Sequence, residues 1–123
     1  MPKKDFKREV VTAVVQIKKY IDDHPGTGIS TATLASDHNL SRNVLQHAFK
    51  KKYHKSIRQY KLEKRMIEAL RLIRAGYSIK EVSFKLDYAS HSSFSNAFRK
   101  YYDISASEWL QEMKSNVNKQ GKM

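Results

Sequence analysis

The chain has 123 residues, and 24 Lys and Arg against 12 Asp and Glu give it a formal charge of +12 and a pI near 9.9, so its natural partners are polyanions. Its 40% apolar content allows one modest core or two small ones sharing an element. With no cysteine, neither a disulfide framework nor a Cys-ligated zinc module is possible, and with no apolar run near the roughly eighteen residues of a membrane span and no secretory leader in MPKKDFKREV, a soluble cytoplasmic protein with no membrane partner is expected.

Phe6, Val10, Val14, Ile17 and Ile21 recur at helical spacing with Lys7, Arg8, Lys18 and Lys19 between them, which predicts a first helix despite its many β-branched residues. Pro25, Gly26 and Gly28 break it. Ser30 or Thr31 then caps a short helix, TATLASDH, with Leu34 and Ala35 facing inward. After a turn at His38, Asn39 and Leu40, Ser41 caps RNVLQHAFKKKY. A short helix, a tight turn and a second capped helix form a helix-turn-helix.

A long helix follows from Ser56 to Gly76, opened by an S-x-x-Q capping box of Ser56 and Gln59 and stopped by Gly76. Leu62, Met66, Ala69, Leu70 and Ile73 are its inward residues. From Ile57 to Ala75 it is about 28 Å long at ~1.5 Å per residue, close to the roughly 34 Å between successive major grooves on one face of B-DNA, so it reads as a rigid spacer. Beyond it, Ser78 and Glu81 box a helix IKEVSFKL, the turn is Asp87, Tyr88 and Ala89, and Ser90 caps HSSFSNAFRKYY. Ser105 and Glu108 open a closing helix with Trp109, Leu110 and Met113 on its apolar side, and residues 116–123 read as a flexible polar tail.

The segments on either side of the spacer repeat each other. Aligning Leu40 onward with Tyr88 onward, with one extra residue in the second turn, pairs Ser41 with Ser90, Leu45 with Phe94, Ala48 with Ala97, Phe49 with Phe98, Lys51 with Lys100, Tyr53 with Tyr102 and Ser56 with Ser105. The organisation that follows is a first subdomain over about residues 6–55, a linker helix over about 56–76 and a second subdomain over about 77–115, all α-helical.

At 100° per residue, Leu45, Ala48 and Phe49 turn inward and leave Asn43, Gln46, His47 and Lys50 outward. In the second copy Phe94, Ala97 and Phe98 are inward and Ser92, Ser95, Asn96 and Arg99 outward. Asn and Gln can hold adenine bidentately, and Lys can take a guanine edge or a phosphate. Arg42 and His91 follow their caps, where a helix N-terminus meets the groove. These ten residues are the candidate base-facing set. Lys51, Lys52, Lys55, Arg58 and Lys100 are the candidate phosphate contacts, giving affinity without sequence choice. Residues 42–74 hold eleven Lys or Arg and only Glu63 and Glu68. The tyrosines are assigned to packing. The five histidines show no ligand spacing, no glycine-rich phosphate loop is present, and Asp22 with Asp23 reads as a helix-end acidic pair, so neither an enzyme nor a cofactor or metal site is expected.

LASDHNLSRNVLQHAFKKKY, Tyr60, R-x-x-x-A-L-x-L-I from Arg65, SIKEVSFKLDY, SSFSNAFRKYY and the following IS together resemble the DNA-binding domain of AraC/XylS-type bacterial transcription regulators. The resemblance implies about seven helices in a homeodomain-like pair of helix-turn-helix subdomains joined by the linker helix, each placing its second helix in one of two successive major grooves. It implies double-stranded DNA as partner, RNA polymerase as a further one, and base-facing positions at Arg42, Asn43, Gln46 and His47 and at His91, Ser92, Ser95 and Asn96. Two reading heads on one chain imply a monomer on DNA. Where the family usually has Gly after each recognition helix this chain has His54 and Asp103, the Gly-Phe of the second turn is Asp87-Tyr88, and the closing-segment Pro is Ala106, so strained left-handed residues are expected. Many relatives add an effector or dimerisation domain, for which these 123 residues leave no room; regulation is expected to come from abundance or a partner if the chain is complete, and from a sensor elsewhere if it is a piece of a longer regulator. The alternatives are a protein-interaction module docking on polymerase or another regulator, and nonspecific DNA coating.

Overall fold

Seven helices and no strand are found among the described residues of the computed structural model, which are residues 7–121 for the backbone and 7–116 for side chains. They are α1 (Arg8–Asp23), α2 (Thr31–Asp37), α3 (Arg42–Tyr53), α4 (Ile57–Arg74), α5 (Ile79–Lys85), α6 (His91–Tyr102) and α7 (Ala106–Gly121). In α1 the helical period of the apolar residues prevails over β-branched propensity, burying Ala13, Val14, Ile17 and Ile21. Phe6, expected at the head of that stripe, lies outside the described residues.

Each helix start is written in the local chemistry. Ser30, not Thr31, caps α2 by accepting from the Thr33 N–H, and Ser41 and Ser90 cap α3 and α6 in the same way. All three capping boxes form: Ser56 with Gln59 ahead of α4, Ser78 with Glu81 ahead of α5, and Ser105 with Glu108 ahead of α7. Each box satisfies two helix-end amides that would otherwise lack partners. Gly76 closes the turn that follows α4: its φ of 102° lets its N–H reach the Ile73 carbonyl while the Tyr77 N–H reaches that of Leu72. α7 runs on to Gly121, so residues 116–121 are helical in backbone.

The chain divides between Arg65 and Met66, inside α4, so the helix read as a separate linker is shared by two compact units. In unit 1, α1 and α2 both pack on α3. Its core holds Val14, Ile17, Ile21, Leu34, Ala35, Leu45, Ala48, Phe49, Ile57 and Tyr60. In unit 2, α5 and α7 pack on α6, and Met66, Ala69, Leu72, Ile73, Val82, Leu86, Phe94, Phe98 and Ala106 are buried. Leu72 is buried where Leu70 was expected, Leu62 and Leu70 are half-buried, and so is Ala97.

The sequence repeat is a repeat of geometry. In the first turn the Leu40 N–H donates to the Ala35 carbonyl at 2.8 Å around Asn39 at φ 58°; in the second the Tyr88 N–H donates to the Ser83 carbonyl at 3.0 Å around Asp87 at φ 61°. Ala35 and Ser83 are both almost fully buried, at 1% and 2% exposure. A small residue there fits a close helix crossing, and the Ser83 hydroxyl is satisfied by the Lys80 carbonyl at 2.7 Å. The ring pairs match too: Phe49 and Tyr53 have centroids 4.8 Å apart at 57°, Phe98 and Tyr102 4.7 Å apart at 55°.

Candidate nucleic-acid interface

α3 turns Leu45, Ala48 and Phe49 into the core of unit 1, and this fixes what its opposite side shows to solvent. Arg42, Asn43, Gln46, His47 and Lys50 are all exposed. None of these side chains is engaged in a hydrogen bond or ion pair among the described residues, so their donors and acceptors remain available. α6 repeats the arrangement on Phe94 and Phe98. His91, Ser92, Asn96 and Arg99 are exposed, whereas Ser95 is half-buried, which leaves its short hydroxyl less reach than the rest of the set.

The candidate phosphate contacts differ among themselves. Lys51, Lys52, Arg58 and Lys100 are exposed. Lys55 is half-buried with its Nζ 2.7 Å from the Glu63 carboxylate, so a phosphate there would share it with an internal partner. Lys52 also lies over the Tyr53 ring at 5.7 Å. Burial pushes the Tyr53 and Tyr102 hydroxyls up from the ordinary phenol value, in keeping with packing roles.

A polar cluster behind the recognition helix was not legible in the sequence. The Tyr60 hydroxyl donates to the Asp22 carboxylate, which also takes Lys18 at 2.8 Å and Lys64 at 3.5 Å. Lys18 lies over both Tyr53 and Tyr60. Burial alone would raise the Asp22 carboxyl, but the Lys18 and Tyr60 hydrogen bonds outweigh it and hold it below the usual aspartate value. The hydrogen bonds that its ammonium donates to Asp22 and Tyr60 push Lys18 above the lysine range. The helix-end acidic pair is therefore two different things. Asp23 makes an exposed pair with Lys19, while Asp22 ties α1 to α4. The available signal was position, since Asp22 follows the buried Ile21 and stands four residues after Lys18.

In unit 2 the equivalent joint is made differently. Arg74 lies over the half-buried Trp109 ring at 5.4 Å. Phe84, on α5, is 68% exposed, an apolar side chain in a position no base-facing argument accounts for.

Two capped helices around a tight left-handed turn, present twice, define a double helix-turn-helix protein. The chain belongs to the helix-turn-helix domain family of the AraC type, whose model matches residues 34–112. It is 33% identical over 104 residues to the Msm operon regulatory protein of Streptococcus mutans, covering 84% of this chain and 37% of that one; the chain spans less than two fifths of the length of the regulators it matches. Among solved structures, the DNA-binding domain of AdpA in complex with a target DNA superimposes with a TM-score of 0.77 at 19% identity, over 85% of this chain and 95% of that one. A DNA-binding transcriptional dual regulator from Escherichia coli K-12 gives 0.66 at 29% identity, over 81% and 96%. The family and fold are those of DNA-binding transcription regulators.

Proposed function

We propose that this chain binds double-stranded DNA sequence-specifically and regulates transcription, with α3 and α6 each reading a major groove and the two occupying successive grooves. The supporting observation is the pair of outward polar faces, held on helices of one motif by matching turns and caps. Asn43 and Gln46 suit adenine edges, Lys50 and Arg99 a guanine edge or a phosphate, and Arg42 and His91 the first turn at the groove. His47, Ser92, Ser95 and Asn96 complete the two faces, and Lys51, Lys52, Lys55, Arg58 and Lys100 hold backbone phosphates. Both faces on one chain support a monomer on DNA in the cytoplasm. No described helix is long and apolar enough to cross a membrane.

A protein contact beside the DNA is favoured by Phe84, which stands on α5 and not among the outward residues of α6; RNA polymerase is the partner we assign to it. Selection from a random duplex pool at near-physiological salt tests the main reading. The expected product is an asymmetric site of two short blocks about one helical turn apart. No enrichment, with affinity collapsing as salt rises, would leave only nonspecific coating or a protein-docking role.

A further inference from the structure

Lys61 is a half-buried cation of unit 1 with no ion-pair partner among the described residues. Lys61 lies on α4, and its ammonium donates to the Ile29 carbonyl at 2.7 Å, just ahead of the Ser30 cap of α2. A carbonyl satisfies one of its three N–H donors and neutralises none of its charge. The paired acids of unit 1 serve other cations: Asp22 holds Lys18 and Lys64, Asp23 holds Lys19, and Glu63 holds Lys55. What acts on Lys61 instead is more positive charge. Burial first, then the guanidiniums of Arg65 and Arg58, hold it below the ordinary lysine value. Arg58, one turn earlier on the same side of α4, is exposed and has no ion-pair partner among the described residues.

A desolvated ammonium repelled by its neighbours is unfavourable in the free protein, and an arriving anion reverses the sign of that interaction. We propose that Arg58 and Lys61 together form a phosphate site on α4, in addition to the residues of α3 and α6, that takes one backbone phosphodiester of the bound duplex. It rests on the DNA-binding reading and adds Lys61 to it. Cations three residues apart on a helix stand about 5–6 Å apart at Cβ, close enough to share one phosphate. The Ile29 contact couples this site to the loop leading into α2, so the phosphate would also help set the register of the first helix-turn-helix.

The test is the salt dependence of affinity for the selected duplex, measured for the parent chain, Arg58→Gln, Lys61→Gln, the double variant and Lys61→Arg, with thermal melting of each. Gln at position 61 removes the charge and keeps an N–H for the Ile29 carbonyl. The double variant is expected to lower the log–log slope by about 0.9, so that the affinity loss between about 50 and 200 mM salt shrinks about 3.5-fold. Each single variant shows part of that change, Lys61→Arg restores the slope, and melting does not fall. A parental slope in the double variant overturns the site while leaving DNA binding intact. A lower melting temperature in Lys61→Gln with an unchanged slope assigns Lys61 to loop anchoring alone and overturns it as well. A parent chain that selects no sequence sinks the underlying reading and the site with it.

Discussion

His54 and Asp103 adopt nearly the same left-handed conformation, φ 64° and 67°, each immediately after a recognition helix and each donating its N–H back to the fourth residue before it, Lys50 and Arg99, at 2.8 Å. The chain must turn here to bring Ser56 and Ser105 to the start of the next helix, and neither residue is the glycine that would do so without strain. His54→Gly and Asp103→Gly are therefore expected to stabilise the protein by about 0.5–1 kcal/mol each, since the αL penalty of about 1–2 kcal/mol is partly offset by the flexibility glycine adds to the unfolded chain. Asn39→Val, which places a β-branched residue at φ 58°, should cost at least about 1–2 kcal/mol. Urea melting checks all three, and a destabilised His54→Gly would show that its imidazole does more than tolerate the turn.

The recognition helices also depend on their caps. Ser41 and Ser90 accept from the Val44 and Ser93 amides at 3.1 and 3.0 Å. Replacing either with Ala should cost about 1 kcal/mol of stability. If Arg42 and His91 meet the DNA just beyond these caps, DNA affinity should fall too, with the loss at Ser41→Ala confined to base pairs read by α3. Denaturation paired with binding to half-site variants separates the two effects; a uniform loss across all sites would point to global destabilisation instead.

Much of this was legible because capping and turn chemistry are local. Ser30, Ser41, Ser78, Ser90 and the three capping boxes act within three residues, so a linear reading finds them. The outward faces of α3 and α6 follow from the inward positions of Leu45, Phe49, Phe94 and Phe98 in the same way. Long-range polar pairing has no such signature. The Tyr60 hydroxyl meets Asp22, and Lys61 meets the Ile29 carbonyl, only once α4 lies beside α1 and the loop after it.

Asp22 predicts a pH dependence. Its folded carboxyl titrates below its unfolded value of 3.8, so its contribution to stability is fully present above that value and is lost as pH falls through the lower, folded one. Urea midpoints measured from pH 6 to pH 2 should drop for the parent chain in this window, and Asp22→Asn should show a lower midpoint at neutral pH with a shallower acid limb. Tyr60→Phe removes one hydrogen bond to the carboxylate and should cost about 1.5–3 kcal/mol at neutral pH. Parallel acid limbs for parent and Asp22→Asn would assign the acid sensitivity to other carboxylates, among them the capping Glu81 and Glu108, both also held below the usual value, first by the backbone hydrogen bonds of their boxes.

The two recognition faces should contribute unequally. Gln46 is exposed on α3 and carries an amide able to pair with two atoms of one base, whereas Ser95 is half-buried on α6 and offers a single short hydroxyl. On a selected duplex, Gln46→Ala is expected to lose about 1–3 kcal/mol of discrimination at one base pair. Ser95→Ala should lose less, because its loss removes at most one hydrogen bond. Unit 1 also carries most of the basic charge, fifteen Lys and Arg against six Asp and Glu, compared with nine against six in unit 2, so it should dominate the phosphate attraction as well. Competition binding against every single-base variant of the site measures both losses. Equal losses would mean that charge sets which unit binds more tightly while specificity is shared evenly between them.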